Sequence, residues 1–512
     1  MSPHVKAVGL ILVLGLAGIL GARYLLPILQ DTQQRETSDA SATRGTLVVG
    51  TDNWIGYFPL CSEPMAKRMR QAGWVLRCEN DNADYPARFE RLKSGEIQFA
   101  VATVDSYLMS GAPVGFPGTI IAVIDESKGG DAILARKEVA ANLDGLRQAG
   151  DIEIAFTPAS PSEQLLRAIR THFDIPFLRD RRGPWRVETD GSTAALKLLL
   201  EGKVGAAVLW EPDVSRALAS PDVVKLIGTE DTERLIVDIL LVGRRFSRDH
   251  PEAVAALLDS YFQTLKLYRD NPQELEEDVM QSTGLSREQV GTMLRGVSWT
   301  TLGENAAVWL GTSGGGPFAD EGLVDSIRGA IRILTDSGDL AGDPLPDGDP
   351  YRITNRQFVA DLSKRLGATA GGGDRGHRFQ PLDDAGWAQL KEIGSLKMEP
   401  IGFRRGTSDL AYEGKLELDR LAERLAYYPN FRILVKGHSG ITGDPRANLQ
   451  LSQERADAVA RYLTVTYGID PNRMRIIGYG SSRPLPRLPG ESDRAYGYRL
   501  PRVEVTLAAE NL

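Results

Sequence analysis

Short apolar runs alternate with amphipathic helical stretches from residue 46 onward, and this alternation most limits the folds open to the chain. It predicts parallel sheets covered by helices, an α/β fold. After residue 246 the pattern turns helical until about Leu340. These roughly 295 residues are many for one sheet and suit two lobes joined by crossover strands. The strand-like runs lie at residues 46–52, 74–80, 97–103, 120–125, 152–158, 185–189, 205–212 and 235–246.

The same alternation returns near the C-terminus, over residues 390–512. It predicts a second compact α/β unit, a βαβαβ sandwich of sheet and helices with one extra edge strand. The predicted strands are residues 395–410 (with the chain leaving the strand), 431–439, 473–485 and 502–508. Between the two regions, residues 341–389 are rich in Gly, Pro and Asp around one short helical piece, which predicts a linker that provides reach.

The N-terminus carries an apolar segment long enough to cross a bilayer, from residue 7 to Leu29 and interrupted by Arg23. A signal-peptidase cut after Ala22 would place Leu20 three residues before the cut and leave a second apolar segment behind. The sequence therefore favours an uncleaved anchor, residues 1–29, over a cleaved signal peptide. Lys6 favours a cytoplasmic N-terminus, so a single pass through the inner membrane would leave the bulk of the chain in the periplasm.

A polar tether at residues 30–45 would follow this anchor. In the periplasm a disulfide can persist, and Cys61 and Cys78 would lie on neighbouring elements of the first βαβ unit. We expect a Cys61–Cys78 bond, and the alternative is two unrelated buried thiols.

Charge and residue counts exclude several classes of protein. A net charge of −8 and an isoelectric point near 5.5 provide no basic field for nucleic acid. The two cysteines and five histidines lack metal-ligand spacing, so neither a metal nor another cofactor is predicted. No nucleophile motif, phosphate loop or paired catalytic motif occurs, so the sequence does not predict an enzyme.

Candidate ligand-binding residues follow from the rule that open α/β sheets bind ligands beyond the carboxyl ends of their strands. The residues at those ends are Asp52, Asn53, Trp54, Thr103, Asp105, Ser160, Ser162, Trp210 and Glu211.

Each of these side chains has a structural alternative. Ser160 and Ser162 flank Pro161 at a helix start, where they would bind an anionic group or only cap the helix. The two tryptophans would stack on a ligand or pack the lobes together. The three acidic residues would bind a cationic group or cap the helices that follow them, and Glu211 before Pro212 suits a cap.

A resemblance to a known family is carried by the order of several weak motifs between residues 46 and 340. They read "VVGTDNWIGYFPL", "LKSGEIQFAVATVDSYL", "FTPASPSEQLLRAI", "EGKVGAAVLWEPDVSRAL" and "FSRDHPEAVAALLDSYF". This region resembles the periplasmic substrate-binding proteins of nitrate, sulfonate and taurine ABC transporters, which include thiamine-precursor binders. The resemblance implies a type II-like, two-lobed clamp that closes on a small molecule. Related thiamine-precursor synthases use a cysteine cluster and histidines, which this region lacks.

The C-terminal region resembles the OmpA-like peptidoglycan-binding domain. The resemblance rests on "PIGF", "GHS" with "TGD", "NLQLSQERADAVARYL", "GYGSSRPLP" and "RVEV" at the family's spacing. It implies association with peptidoglycan.

One helix in this region places polar residues within its own apolar face. Asp444 and Pro445 predict its start, and at 100° per residue Asn448, Ser452 and Arg455 point into the apolar stripe. A desolvated Arg needs a carboxylate or several carbonyl acceptors, so we expect Arg455 to have a partner. The resemblance implies that Arg455 grips the carboxylate of a stem-peptide diacid, usually diaminopimelate. The alternative is a structural Arg that organises nearby loops.

The sequence departs from the family in two places. Gly440 stands where the family's "GHTD" has an Asp that binds the ligand's ammonium group. Asp444 would compensate if its loop folds back, although its simpler role is the helix cap. Only Arg502 remains of the family's Asn-Arg-Arg before the last strand, and His438 and Ser439 are expected to orient a loop through hydrogen bonds.

Together these features predict a membrane-anchored binding protein of the cell envelope, with a small-molecule clamp and a cell-wall-binding end. Expected partners are a small ligand, peptidoglycan, the inner membrane and an envelope membrane complex. The alternative is a structural tether or scaffold whose clamp binds protein and no small ligand. An ion-driven stator would need an ionisable group within the membrane, and residues 7–22 contain none.

Overall fold

The computed structural model describes residues 43–150, 152–173, 175–312, 321–367, 379–404 and 407–510. The predicted anchor and all but the end of the tether lie outside these ranges. No helix within them is long and apolar enough to cross a membrane. The described chain forms three sheets of six, five and four strands, each covered by helices.

The strands are, in chain order, β1 (Gly45–Thr51), β2 (Trp74–Asn80), β3 (Phe99–Thr103), β4 (Gly118–Ser127), β5 (Asp131–Arg136), β6 (Ile154–Phe156), β7 (Arg186–Glu188), β8 (Ala206–Trp210), β9 (Val223–Gly228), β10 (Val237–Gly243), β11 (Val297–Trp299), β12 (Lys391–Ser395), β13 (Arg432–His438), β14 (Met474–Gly478) and β15 (Arg502–Ala509).

The α-helices are Phe58–Cys61, Glu63–Gln71, Tyr85–Ser94, Val104–Gly111, Leu143–Gln148, Pro161–His172, Ser192–Leu200, Asp213–Leu218, Arg244–Asp249, Pro251–Asp270, Pro272–Thr283, Arg287–Arg295, Leu302–Glu304, Gly322–Asp336, Gln357–Leu366, Asp384–Gln389, Tyr412–Ala426, Pro445–Tyr467 and Asp493–Arg499.

The six-stranded sheet forms the first lobe, in the order β11-β4-β10-β3-β1-β2. Strands β1, β2 and β3 are parallel, and β10 runs antiparallel between β3 and β4. The five-stranded sheet forms the second lobe, in the order β7-β6-β8-β5-β9, with β5 antiparallel to both of its neighbours. Each lobe thus holds a strand that enters it directly from the other lobe. The two-lobed α/β prediction is confirmed, although β5, β9 and β11 were not predicted.

The chain passes between the lobes twice, at residues 128–130 and 229–236. Thr229 fastens the two crossings together. Its hydroxyl accepts a hydrogen bond from the backbone N–H of Gly129 at 2.9 Å and lies 2.7 Å from the Ser127 hydroxyl. Any opening of the cleft must therefore bend the chain around this pair of crossings.

Part of the predicted linker packs against the first lobe. The helix Gln357–Leu366 contacts the helix Pro251–Asp270. Its Val359 and Leu362, together with Ile353, are buried in the core of that lobe. The composition predicts a linker that starts at residue 341, but the chain does not leave the first lobe before residue 367.

The four-stranded sheet forms the C-terminal domain, in the order β12-β15-β13-β14. Strands β13 and β14 are parallel, whereas β15 runs antiparallel to β12 and β13. The first strand lies at Lys391–Ser395, ahead of the predicted position, because the apolar residues of 395–410 pack as irregular chain under the helix Tyr412–Ala426.

The second lobe and the C-terminal domain share one apolar core. Phe173 lies against Tyr428 with ring centroids 5.7 Å apart, and both are buried with Leu396. His172 Nδ1 lies 2.7 Å from the Tyr428 hydroxyl, and the N–H of Lys397 donates to the His172 carbonyl at 2.6 Å. Burial, with a smaller contribution from Arg424, lowers the pKa of His172 to about 3, so this imidazole is neutral at neutral pH.

A disulfide joins Cys61, at the end of the helix Phe58–Cys61, to Cys78 in β2. It links the first short helix to an edge strand of the first lobe, as the sequence predicts for an oxidising compartment.

Candidate functional site

The two lobes meet at a closed cleft. Trp210 Nε1 in the second lobe donates to Asn53 Oδ1 in the first at 3.1 Å, and Ser106 Oγ donates across the cleft to the Ala159 carbonyl at 3.2 Å. The cavity between the lobes is about 10 Å³. That is close to the smallest space that holds a water molecule and far below the roughly 300 Å³ of small ligand pockets. Any ligand must enter through an opened state.

Asp52, predicted as a cleft residue, anchors the first-lobe wall. Its Oδ1 accepts the N–H of Trp54 at 3.0 Å. Its Oδ2 accepts the Tyr85 hydroxyl at 3.3 Å and lies 3.2 Å from the Arg88 guanidinium. Arg88 is fully buried and also pairs with Asp81. A single cation is therefore shared between two carboxylates.

Two further carboxyl groups, Asp125 and Asp238, face each other on paired strands β4 and β10. Trp54 Nε1 donates to Asp125 at 3.2 Å, and the Tyr57 hydroxyl donates to Asp238. Burial raises the pKa of Asp125 to about 8 and that of Asp238 well above the usual range. Asp125 raises the pKa of Asp238 further, whereas a hydrogen bond with Asp238 lowers the pKa of Asp125. The pair is most stable with a proton on at least one of them.

Asp131 also lines the cavity, and Asp105 is close enough to raise the pKa of Asp131. Burial raises the pKa of Asp131 to about 7 and that of Asp105 to about 6. One carboxylate oxygen of each, Asp131 Oδ1 and Asp105 Oδ2, has no hydrogen-bond partner among the described residues.

Four predicted cleft residues direct their polar atoms elsewhere. Thr103 Oγ1 donates to Ser106 Oγ at 2.7 Å, and Ser160 Oγ donates to the Thr157 carbonyl at 2.7 Å. Ser162 Oγ donates to the Val208 carbonyl of the second-lobe sheet at 3.3 Å. Glu211 accepts the Ser215 N–H at 3.1 Å and hydroxyl at 2.7 Å.

These contacts decide between the alternatives for those side chains. Ser160 occupies the N-cap position of Pro161–His172 without capping it through its side chain. Glu211 satisfies the start of the helix Asp213–Leu218, as its position before Pro212 suggests. Trp54 and Trp210, in contrast, do line the cavity.

The sequence reasoning missed five residues of the cleft. The missed residues are Tyr57, Tyr85, Asp125, Asp131 and Asp238. A signal existed for two of them, because Asp125 ends "IIAVID" and Asp238 interrupts "LIVDILLVG", and a charge inside a strand buried on both faces needs a reason. For the tyrosines no local signal exists.

A second candidate site lies on the helix Pro445–Tyr467 of the C-terminal domain. Asp444 caps this helix by accepting the Ala447 N–H at 2.8 Å. Asn448 Nδ2 donates to the Thr442 carbonyl at 2.9 Å, and buried Ser452 accepts the Gly480 N–H at 2.8 Å. Asn448 and Ser452 thus hold the loops on either side of the helix, while Asp444 serves as the cap.

Arg455 follows Asn448 and Ser452 on the same face of this helix. Its side chain is half-buried, its guanidinium lies 5.0 Å from the centre of the Phe403 ring, and its Nε donates to the Thr407 carbonyl at 3.3 Å. Burial lowers its pKa, and within the described residues no carboxylate pairs with it. The partners that we expected for Arg455 are thus one carbonyl oxygen and one aromatic ring. Neither carries a negative charge, so the charge of the guanidinium is not balanced.

The neighbouring strand ends carry a second group of charges. His438, buried and stacked on Tyr479, has its Nε2 3.6 Å from Glu504 Oε2. Burial alone would raise the pKa of Glu504, but His438 and Arg502 outweigh burial and lower that pKa to about 2. Arg502 Nε lies 2.6 Å from Glu504 and is therefore neutralised internally.

The loop after β13 is held by its backbone. The N–H of Ser439 donates to the Gly480 carbonyl at 2.9 Å, and the Ser439 hydroxyl donates to the Gly440 carbonyl at 3.1 Å. A Cβ added to Gly440 would meet no atom within 4 Å. A side chain at this position is therefore sterically allowed.

Comparison with known proteins supports the two-part architecture. Residues 402–496 match the OmpA family. The chain is 39% identical over 85 residues to a peptidoglycan-associated lipoprotein of Rhizobium meliloti, covering 17% of this chain and 48% of that protein. It is 29% identical over 129 residues to outer membrane porin F of Pseudomonas aeruginosa, covering 25% of this chain and 36% of the porin. The chain thus spans about half or less of the length of these curated relatives.

Two solved structures with weak similarity to this chain are named as sulfonate-binding proteins. One is the alkanesulfonate-binding protein SsuA from Xanthomonas axonopodis pv. citri bound to MOPS, with a TM-score of 0.45, 15% identity and coverage of 63% of this chain and 99% of that one. Another is the periplasmic aliphatic sulphonate binding protein SsuA from Escherichia coli, with a TM-score of 0.42, 16% identity and coverage of 57% and 92%. Residues 402–496 are thus similar to the OmpA family, and the similarity to the two SsuA structures is weaker.

Proposed function

We propose that this chain is a cell-envelope binding protein, anchored in the inner membrane by residues 1–29, that associates with peptidoglycan through its C-terminal domain and binds a small ligand in its clamp. One observation carries the proposal furthest. Arg455 stands where the family resemblance places the ligand-binding Arg, and it is half-buried without a carboxylate partner among the described residues. A guanidinium in this state is ready to accept an external carboxylate bidentately.

The peptidoglycan end is tested by retention of the full-length chain on purified peptidoglycan. Arg455→Ala is expected to weaken binding about tenfold to a hundredfold, since charge-assisted hydrogen bonds contribute roughly 1.5–3 kcal/mol. Arg461→Ala is the matched control, because Arg461 is exposed on the same helix. Equal retention of the Arg455 variant and the control would overturn the role of Arg455.

Gly440→Asp tests the same site in the opposite direction. The added side chain has free space and would restore the acid that the family uses for the ligand's ammonium group. We expect retention to rise several-fold, corresponding to about 1 kcal/mol. Unchanged retention would mean that the loop does not face the ligand.

The clamp has a competing interpretation as a protein-interaction scaffold, which one specific observation favours. In the closed state the cleft is filled by its own side chains, among them Trp54 and Trp210, and retains about 10 Å³. Ligand binding requires a second, open state, whereas a scaffold does not.

Labels on the two lobes separate these interpretations. Lys93→Cys and Lys203→Cys place dyes on exposed positions of the first and second lobe, and both native cysteines are bonded to each other. A clamp is expected to show two inter-dye distances, with the shorter one enriched by a ligand from a metabolite panel. One fixed distance under every condition would favour the scaffold.

A further inference from the structure

The cleft concentrates acidic groups from both lobes in a space that excludes water. None of the five is more than 9% exposed, and they are Asp52, Asp105, Asp125, Asp131 and Asp238. Among the described residues, Arg88 contacts this group and is shared between Asp52 and Asp81. Arg167 lowers the pKa of Asp105, but it is itself paired with Glu163 and Asp339. The lining therefore holds more potential negative charge than its own cations balance.

Asp131 supplies a buried acceptor that the described part of the chain does not satisfy. It is 1% exposed, lines the cavity, and leaves its Oδ1 without a donor among the described residues. A buried carboxylate oxygen without a donor has lost the hydrogen bonds that water would give it in the unfolded chain. The complementary group is one that brings N–H or O–H donors and a positive charge.

The pKa values agree with this geometry. Burial raises the pKa of Asp131, and Asp105, Glu211 and Asp52, which all face it, raise that pKa further against a hydrogen bond from Ser127. Below about pH 7 a proton on Asp131 therefore takes the place of a cation in the closed cleft. An anionic ligand would add to the repulsion, whereas a cation would replace those protons.

The rest of the lining suits an organic cation. The rings of Trp54, Tyr57, Tyr85 and Trp210 surround the same cavity, and aromatic rings attract ammonium groups and cover aliphatic carbon. No three Asp, Glu, His or Cys side chains among the described residues are placed to hold a metal ion. The carboxylates are therefore placed to accept hydrogen bonds individually and not to share one metal ion.

We infer that the clamp binds a small protonated amine whose N–H groups are directed at Asp131 and its neighbouring carboxylates, an inference that rests on the proposed ligand-binding function. The ligand enters while the lobes are apart, and closing buries its ammonium group among the five acids. This ligand is opposite in charge to the sulfonates named for the similar solved structures.

The experiment compares probes that differ in charge and in N–H donors. Thermal unfolding of the purified full-length chain is followed at pH 8 with putrescine, ethylammonium, tetramethylammonium, ethanesulfonate or no addition. Putrescine or ethylammonium is expected to raise the Tm by about 3 °C at 100 times its Kd, and calorimetry measures that Kd. The same shift is expected to shrink at pH 5.5, because protons then compete with the amine for the carboxylates.

Variants assign the effect to the cleft. Asp131→Asn keeps the shape of the side chain and removes its charge, so the amine response is expected to be lost. Asp222→Asn is the matched control, because Asp222 is an exposed acid of the same lobe. Asp105→Asn provides a second cleft variant if the first fails to fold.

The possible results distinguish a failure of the amine inference from a failure of the proposed clamp function. A response to ethanesulfonate without an amine response overturns the inference and leaves the clamp function standing. An equal response to tetramethylammonium overturns the role of N–H donors. An amine response that survives in both cleft variants places the amine elsewhere and overturns the inference. No response to these probes or to a broad metabolite panel, with one fixed inter-dye distance, overturns the clamp function itself.

Discussion

The second lobe has two faces that meet other parts of the chain, and they differ in kind. Toward the first lobe it presents acids, a small cavity and hydrogen bonds such as Trp210 to Asn53. Its helix Pro161–His172 also packs on the helix Gly322–Asp336 and pairs through Arg167 and Arg170 with Asp339. Toward the C-terminal domain it presents a continuous apolar core that includes Phe173 and Tyr428. A polar, water-excluding seam can part at moderate cost, whereas separating a shared core exposes apolar surface at about 25 cal/mol per Å².

This difference indicates which parts of the molecule move together. We expect the second lobe and the C-terminal domain, which share a core, to move together relative to the first lobe. The C-terminal domain also contacts the crossing between the lobes, where the Glu233 N–H donates to the Tyr427 carbonyl at 2.8 Å and Asn430 Nδ2 donates to the Glu230 carbonyl at 3.2 Å. A change in the crossing between the lobes would therefore reach the C-terminal domain directly.

The largest expected effect comes from breaking the apolar face. Phe173→Ala should lower the free energy of unfolding by about 3–5 kcal/mol, because a large buried ring is replaced by a cavity. Denaturant unfolding should then show the C-terminal domain separating from the second lobe. Leu200→Ala, at a position 46% exposed, is the control. A loss as small as that of the control would mean that the two parts do not share a core.

The polar face should respond to rising pH. Asp131 has a pKa raised to about 7 in the folded state, against 3.8 for a solvated Asp side chain, so the folded state binds more protons between those values. The protonated Asp131 therefore contributes its full stabilisation below about pH 4. This stabilisation is lost progressively between pH 4 and pH 7, and the free energy of unfolding no longer depends on Asp131 above pH 7. The total is on the order of 4 kcal/mol. The free energy of unfolding of wild type and of Asp131→Asn at pH 5 and pH 8 measures this contribution. An equal change between the two pH values in both proteins would contradict the expectation.

The apolar face should respond to falling pH, with the opposite sign. His172 has a pKa lowered to about 3, so the unfolded state takes up a proton below pH 6.5 and the folded state does not. At pH 5 this proton uptake by the unfolded state lowers the free energy of unfolding by about 2 kcal/mol, and above pH 6.5 it has no effect. His172→Gln, which stays neutral, should lose this acid sensitivity when unfolding is compared at pH 7.5 and pH 5. If the variant keeps the sensitivity, another group is responsible.

The smallest effect should come from one hydrogen bond across the cleft. Asn53→Ala leaves Trp210 Nε1 without its acceptor in the closed state, at a cost of about 1 kcal/mol. Inter-dye distances should show more of the open form, while the free energy of unfolding changes little. Gln450→Ala, on an exposed position of the C-terminal domain, should leave the distances unchanged.

Local pattern predicted most of the fold. The strand predicted at residues 74–80 is observed at Trp74–Asn80, and the helix start at Asp444 and Pro445 is observed with its cap. These features depend on neighbouring residues, whose period and capping chemistry are readable from the chain alone. Strand β5 was missed because its burial comes from the strands of the second lobe on either side of it.

The candidate site was predicted less completely. Strand ends correctly pointed to Asp52, Trp54 and Trp210, but Ser162 and Glu211 turned out to satisfy backbone groups. A strand-end rule finds which edge of a sheet holds a site. It does not show which side chains already have partners, because those partners lie far away in sequence.

The sequence by itself determined the alternation of strands and helices, the cysteine pair, and an Arg within the apolar face of a C-terminal helix. Only the tertiary structure decided that five aspartates from separate strands, a loop and a helix converge on one cleft, and that the C-terminal domain shares a core with the second lobe. The physical reason is that local structure follows from short-range sterics and hydrophobic period. Burial, and with it the pKa of Asp131 or His172, depends on what distant segments pack against each group.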